Sequence, residues 1–342
     1  MKVMVTGGAG YIGSLLLKEL LDTGFKVVCL DRFYFGFEPV NQYKNNPNFE
    51  IVKKDIRDLT KEDFKEIEIV MDLAALSNDP AGEINPDITM AINFKGRAKV
   101  ARLAKASGVR RYILSSSCSV YGDTSGASAK EDYEVNPLTT YATANHMAEE
   151  AVLRLNDTKF CVTVLRLATV FGLSYRMRFD LVVNVMTLNA IQTGKVNILG
   201  GGNQWRPLIH VKDVAFAFIN VAQSKSSLVA GERFNVGSNN QNFTVRALAY
   251  IVRENLPFAV EIVDTPTDLD KRNYRIEFTK INTVLAFQCK YSPSDAIKEI
   301  YEAIKLNEVD TGLRTRTVEW YKHIINSKRL LNEIELKGRL LK

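Results

Sequence analysis

The sequence predicts an α/β protein: a doubly wound parallel sheet followed by a smaller, mixed α/β lobe. Three observations carry that prediction. Apolar runs of strand length alternate with amphipathic stretches of helix length as far as Gly172. The first run, Lys2 to Thr6, passes directly into Gly7, Gly10 and Gly13 and then into apolar residues at helical spacing. Beyond Gly172 the alternation loosens into short strands and separate helices.

Lys2–Thr6 is long enough for a buried parallel strand. Ile12, Leu15, Leu16, Leu20 and Leu21 then mark one face of a helix that Gly24 is placed to end. Strands follow at Lys26–Asp31, Phe49–Lys54 and Ile69–Leu73, the last running into Ala74, Ala75 and Leu76, whose small side chains permit close approach of a ligand. Asp87–Ser107 reads as a long helix, Arg111–Ser117 as a fifth strand, Leu138–Asn156 as another long helix and Phe160–Arg166 as a sixth strand. In the second half, helices are expected at Phe179–Thr193, Asp213–Gln223 (capped by Asp213), Thr244–Asn255, Lys280–Ala286, Asp295–Lys305 and over the last forty residues. Short strands are expected at Val196–Leu199 and Arg233–Val236, with a glycine turn over 200–203. The division this implies is a nucleotide-binding domain over 1–171, with segments returning to it at about 205–240. Residues 172–204 and 241–342 would form a substrate lobe and C-terminal helices.

Composition narrows the function classes. A chain of 342 residues, 46% hydrophobic, supports one large or two unequal cores. No apolar run reaches about eighteen residues, so no membrane span is expected, and no secretory leader is expected ahead of the first strand. The net charge of +6 is modest and scattered, which argues against a nucleic-acid partner. Its densest part, Lys328–Lys342, carries leucines at helical spacing and reads as an amphipathic helix docking on its own protein. Cys29, Cys118, Cys161 and Cys289 are too dispersed for a metal knuckle and read as reduced thiols of a cytoplasmic protein. The three histidines stand at no ligand spacing, so no metal is expected.

The strand, glycine turn and helix start at residues 2–24 form the context a dinucleotide fingerprint requires. Glycines allow a tight turn and close approach to a pyrophosphate, and the helix dipole presents its positive end to it. Asp31, 18 residues beyond Gly13, ends the second strand where a carboxylate would hold ribose hydroxyls. Such a carboxylate repels a 2′-phosphate and favours NAD, whereas neighbouring Arg32 would attract one.

Ser115-Ser116-Ser117-Cys118-Ser119-Val120-Tyr121-Gly122 leaves the fifth strand, and Tyr141-Ala142-Thr143-Ala144-Asn145 opens the next helix. With Gly7-Gly8-Ala9-Gly10-Tyr11-Ile12-Gly13, Lys54-Asp55-Ile56-Arg57-Asp58, Leu73-Ala74-Ala75, Arg206-Pro207-Leu208-Ile209-His210 and Phe234-Asn235-Val236-Gly237, the chain resembles the extended short-chain dehydrogenase/reductases. Within that superfamily it is similar to the nucleotide-sugar epimerases and dehydratases, over almost its whole length.

The resemblance implies a Rossmann fold, NAD, a nucleotide-diphosphate sugar substrate and a homodimer paired through the helices beginning near Asp87 and Leu138. It implies that Gly7, Gly10, Tyr11, Ile12 and Gly13 surround the pyrophosphate, Asp31 and Arg32 the adenosine ribose, and Asp55 and Ile56 the adenine. Leu73, Ala74, Ala75 and Ser115 would line the rest of the cofactor cleft. Ser117 would bond the reacting sugar hydroxyl, and Tyr141 would take its proton. Thr169, Arg178, Asn184, Arg206 and Arg272 would meet the substrate.

Three departures matter. The superfamily pattern is Tyr-x-x-x-Lys, and residue 145 is asparagine. The lysine binds the nicotinamide ribose and places a cation near the tyrosine, which an amide does not. Asn145 therefore reads as an engineered change that traps substrate, as a natural variant with a different base or slower reaction, or as the mark of a non-catalytic binder. Second, Cys118 and Ser119 stand where related 4,6-dehydratases carry an Asp-Glu pair, so dehydration is not expected; Cys118 reads as a small core residue. Third, Thr169 replaces the asparagine of an Arg-x-x-Asn pattern, so the sugar pocket should differ from that of common UDP-galactose 4-epimerases. The reading is an NAD-dependent nucleotide-sugar epimerase working through a transient keto-sugar. Its rivals are a nucleotide-sugar dehydrogenase or ketoreductase, and a non-catalytic NAD or nucleotide-sugar binder.

Overall fold

The computed structural model describes residues 1–265 and 272–335. Seven strands form its central sheet: β1 (Lys2–Thr6), β2 (Lys26–Asp31), β3 (Phe49–Lys53), β4 (Ile69–Asp72), β5 (Arg111–Ser117), β6 (Cys161–Leu167) and β7 (Glu232–Val236). They lie in the order β7-β6-β5-β4-β1-β2-β3, every neighbouring pair parallel. The chain reverses its direction of winding between β1 and β4. In such sheets the crevice beyond the strands' carboxyl ends at that reversal receives the ligand.

Strand alternation builds two cores. Val3 and Val5 of β1 pack with Leu16 and Leu20 of α1 (Tyr11–Asp22), while Met4 between them faces the other way, toward Val100 and Ala104 of α2 (Arg97–Ala106). The second face is also covered by Ala148 and Val152 of α3 (Thr140–Leu153). Each aliphatic side chain buried this way contributes about 1.5–3 kcal/mol. In the second half, α4 (Val182–Thr193) belongs to the lobe, where it packs with Leu248, Val252 and Ile297. By contrast α5 (Val211–Gln223) returns beside α1, with Val214 and Phe218 in the first core, and β7 completes the main sheet.

Several elements differ from expectation, each for a local reason. The helix expected from Asp87 divides into Pro86–Thr89, a π-helical stretch Met90–Gly96 and α2. Buried Asn93 in the π stretch exchanges two hydrogen bonds with the backbone of Leu76 (2.9 and 3.0 Å), pinning the exit of β4 to the helix. Asp213 is not a cap: His210 holds that position, its ring Nδ1 accepting from Lys212 N at 3.1 Å. The Asp213 carboxylate instead accepts from the backbone of Lys290 and Tyr291. The helix expected from Phe179 starts only at Val182, because Asp180 is held by Arg178. A strand at Asp123–Ala129, rich in Gly, Ser and Ala, was not foreseen; it pairs in parallel with Asn273–Ile276.

The last described helix, α6 (Thr317–Ile334), docks by its first turns: Trp320 Nε1 donates to Tyr34 O at 2.7 Å, and the Tyr321 ring meets Tyr34 and Phe35. Further along, Ile325, Leu330, Leu331 and Ile334 are exposed, so the described part of the basic tail does not show the docking expected of it. Residues 336–342 of that tail lie outside the described residues.

Candidate active site

A single cleft runs over the carboxyl ends of β1, β2, β4, β5 and β6. At one end is the glycine turn. Gly7 has φ +69°, and a Cβ there would lie 2.9 Å from Ala74 N; at Gly13 a Cβ would lie 2.3 Å from Gly7 O. Neither position tolerates a side chain. Gly10 is the N-cap of α1 with no side-chain cap, so the first N–H groups of that helix have no intrahelical acceptor. A backbone stripped of side chains, against uncapped N–H groups, fits a dinucleotide pyrophosphate.

The acid at the end of β2 is firmly placed: Asp31 Oδ2 accepts from Ala9 N (3.0 Å) and Oδ1 from Phe33 N (2.7 Å). Burial raises its pKa against those backbone bonds. Arg32 lines the cleft, but its guanidinium is bound to Asp55 at 2.8 Å, alongside Arg57. Burial pushes Asp55 up; the two arginines outweigh it and hold the carboxyl at about 2. Tyr11, Ile12, Ile56, Leu73, Ala74 and Ala75 complete this wall. Sequence reasoning missed Tyr34, Phe35, Arg176 and Tyr321, which close the same end; Arg176 lies 3.5 Å over the Phe35 ring.

At the reaction end, β5 delivers Ser115 and Ser117, and α3 delivers Tyr141 and Asn145 on one face. Thr139 caps α3, accepting from Ala142 N at 3.1 Å, and so fixes where Tyr141 enters. Ser117 and Tyr141 both line the cleft there, and the Ser117 hydroxyl accepts from Ser119 N at 3.1 Å. The Tyr141 pKa is raised: burial first and Asp79 second push it up further than Arg97, Arg178 and Ser117 pull it down.

Arg97 is a cleft residue that the sequence reading did not single out. It is 1% exposed, yet it lines the cleft. Its Nη1 donates to Asn145 Oδ1 (2.9 Å), its Nη2 to the carbonyls of Asp72 (2.9 Å) and Ser115, and its Nε lies 3.5 Å from the Asp72 carboxylate. The signal was its phase: residue 97 sits on the same helical stripe as buried Asn93, Val100, Ala101 and Ala104, a place where an arginine is rare unless paired.

The expected substrate residues separate into two groups. Thr169, Arg178 and Arg272 line the cleft. Arg178 is paired with Asp180 (2.8 Å) and Arg272 with Asp79. Arg206 and Asn184 do not line it. Arg206 Nη1 donates to Arg272 O at 2.6 Å, placing it behind Arg272. Asn184 is fully buried: its amide donates to Tyr11 OH (3.1 Å) and Arg178 O (2.9 Å), and its oxygen accepts from Gly172 N (2.9 Å). Of the two residues at the dehydratase acid positions, Cys118 points away, its Sγ donating to Arg166 O at 3.2 Å with burial raising its pKa. Ser119 lines the cleft with a buried, unpartnered hydroxyl. Behind β5, Ser116 donates to Glu149, which Arg166 grips at 2.7 Å, and Arg166 also reaches Tyr121 OH at 2.8 Å. This buried network stiffens the strand end that carries Ser117. Among the described residues no helix is long and apolar enough to cross a membrane, and no cluster of three or more metal-ligating side chains occurs.

Comparison with known proteins agrees with this geometry. The sequence model of the NAD dependent epimerase/dehydratase family matches residues 3–237. A UDP-glucose 4-epimerase of Mycolicibacterium smegmatis is 31% identical over 312 residues, 88% of this chain and 98% of that protein. UDP-glucuronic acid decarboxylase 4 of Arabidopsis thaliana is 29% identical over 304 residues, 85% of this chain and 65% of that one. Among solved structures, a UDP-glucose 4-epimerase of Thermotoga maritima with UDP-glucose is 26% identical, with a TM-score of 0.80 over 90% of this chain and 100% of that one.

Proposed function

The chain belongs to the NAD-dependent epimerase/dehydratase family, and from that premise we propose that it is a nucleotide-sugar epimerase acting through a transient keto-sugar. Its cofactor is NAD, which when bound supplies the acceptor and the later donor of a hydride. The observation that carries the reading is that Ser117 and Tyr141 line one cleft with the glycine cradle, with no carboxylate at 118 or 119.

Ser117 bonds the sugar hydroxyl and aligns it on Tyr141. Tyr141 would take the hydroxyl proton as bound NAD accepted the hydride of the same carbon. Thr169, Arg178 and Arg272 border the sugar nucleotide, and guanidinium forks suit its diphosphate. Once the keto-sugar had turned, reduction on its opposite face would require a proton, which Tyr141 would return. With a serine and a remote thiol at the two positions after Ser117, the site holds no acid there to expel water. Arg206 and Asn184 support this machinery from outside the cleft. The assembly proposed is a homodimer through α2 and α3, near which Ile88, Leu138 and Met147 are exposed.

The test is incubation of the NAD-loaded protein with UDP-glucose and UDP-glucuronic acid, followed by mass spectrometry, NADH absorbance and NMR. A product of unchanged mass with an inverted carbon and no accumulating NADH supports the epimerase. Loss of carbon dioxide, of water or of two hydrogens replaces it with a decarboxylase, dehydratase or dehydrogenase.

A further inference from the structure

We infer that Arg97 is the cation of this active site: through its bond to Asn145 it takes over the electrostatic task of an amine at position 145 and offsets part of what burial costs the Tyr141 phenolate. This rests on the reading above that Tyr141 is the base.

The argument begins with a requirement. A tyrosine titrates near pH 10, so about one in a thousand is phenolate at pH 7, and a nearby positive charge lowers that value by roughly 1–3 units. Residue 145 is the position on α3 that shares Tyr141's face, and it carries no charge. The guanidinium that touches it does. Arg97 comes from another helix, is 1% exposed and lines the cleft.

The geometry makes the two residues one device. Asn145 uses its oxygen to accept from Arg97 Nη1 at 2.9 Å and its amide to donate to Tyr141 O at 3.0 Å. Asparagine is the fitting residue, because an acceptor must meet the guanidinium. A lysine there would set an ammonium against a buried cation, with no acceptor for Nη1.

The counter-charge lies on the far side. Asp72 also accepts from Thr6 Oγ1 (2.5 Å) and from Tyr112 OH. The ion pair is thereby oriented, carboxylate into the sheet and guanidinium toward Asn145. The charged groups facing Tyr141 are Asp79 from the helix at Asp79–Gly82, Arg178 from the loop before α4, and Arg97; Ser117 is the neutral partner. Arg178 is matched at 2.8 Å by its own Asp180, and Asp79 by Arg272. Arg97 and Arg178 favour the charged form of Tyr141 and Asp79 opposes it. Arg97 is a positioning residue in this account, acting on the proton of Tyr141 rather than on the sugar.

The test reads Tyr141 directly. In NAD-loaded protein labelled with tyrosine-13Cζ, the Tyr141 signal is identified by its absence in Tyr141→Phe and titrated by NMR. Arg97→Gln should raise its midpoint by about one unit or more. Arg97→Gln/Asn145→Lys, which moves the cation to the other helix, should bring it back. Should Arg97→Gln fail to fold because Asp72 is left unpaired, Arg97→Gln/Asp72→Asn removes both charges and should show the same rise. An unmoved midpoint, or a Tyr141 still protonated at about pH 11 with and without Arg97, overturns the inference. A shifted midpoint in a protein that turns over no nucleotide sugar keeps it and removes the epimerase reading; turnover with an unmoved midpoint does the reverse.

Discussion

The two ends of the cleft are built differently. At the adenosine end, β1, the glycine turn and α1 lie within the first 22 residues, and Asp31 and Asp55 end or follow the next two strands. The parts are tied to one another within that short stretch of chain: Asp31 to Ala9 and Phe33, Asp55 to Arg32 and Arg57. At the reaction end, Asp72, Arg97, Ser117, Tyr141 and Asn145 arrive from four separate elements and meet only through packing. A motif can report the first end because backbone geometry there admits few residue types. The second end can exchange one residue for a pair, as Asn145 with Arg97, while keeping a cation in place.

The largest expected effect separates the ends most sharply. Tyr141→Phe should lower turnover by about 10²–10⁴ and leave NAD affinity, measured by calorimetry, nearly unchanged. A matching loss of NAD affinity would mean the two ends are not independent. Next is Asn145→Lys alone. A vacated lysine site would respond with faster turnover. With Arg97 in place, the ammonium should instead cost about 1–3 kcal/mol in a denaturant melt and bring no gain in rate. Smaller again is cofactor choice. Because the proposed account sets the ribose at Asp31 and Arg32 is committed to Asp55, NAD should bind at least tenfold more tightly than NADP, about 1.4 kcal/mol. Equal affinity would show that Arg32 leaves Asp55 when a 2′-phosphate arrives.

The smallest effect is in acid. The folded pKa of Asp55 is depressed to about 2. Its contribution to stability is therefore present above the ordinary carboxylate value and lost as pH falls through the folded one. Partial exposure of Arg32 and Arg57 keeps it small. Asp55→Asn should lower stability slightly near neutrality and flatten its fall between about pH 4 and 2, as read from denaturant melts across that range. An unchanged acid limb would contradict the pairing.

The same contrast governs what could be read before the structure. All seven strands of the main sheet were legible from short apolar runs, and Gly7, Gly13, Asp31, Ser117 and Tyr141 from motifs. Asp123–Ala129 escaped because its residues carry little strand propensity, and the π stretch before α2 because its cause is Asn93 bonding Leu76, 17 residues away in the chain. Arg206 and Asn184 were expected on the substrate from the family resemblance. The sequence could not show that Arg272 O, Tyr11 OH and Gly172 N occupy them. Arg97 was hidden for the converse reason: its stripe marks it as buried, and only the fold shows what it is buried beside.

The central claim is that oxidation and reduction occur at one carbon without release of the hydride. The direct measurement uses UDP-glucose carrying deuterium at C4, or the corresponding nucleotide sugar found to react, with NAD-loaded protein in ordinary water. The account predicts an epimerised product that retains its deuterium at the same carbon. Protium at that carbon in an epimerised product, or deuterium accumulating in free NADH, would contradict it.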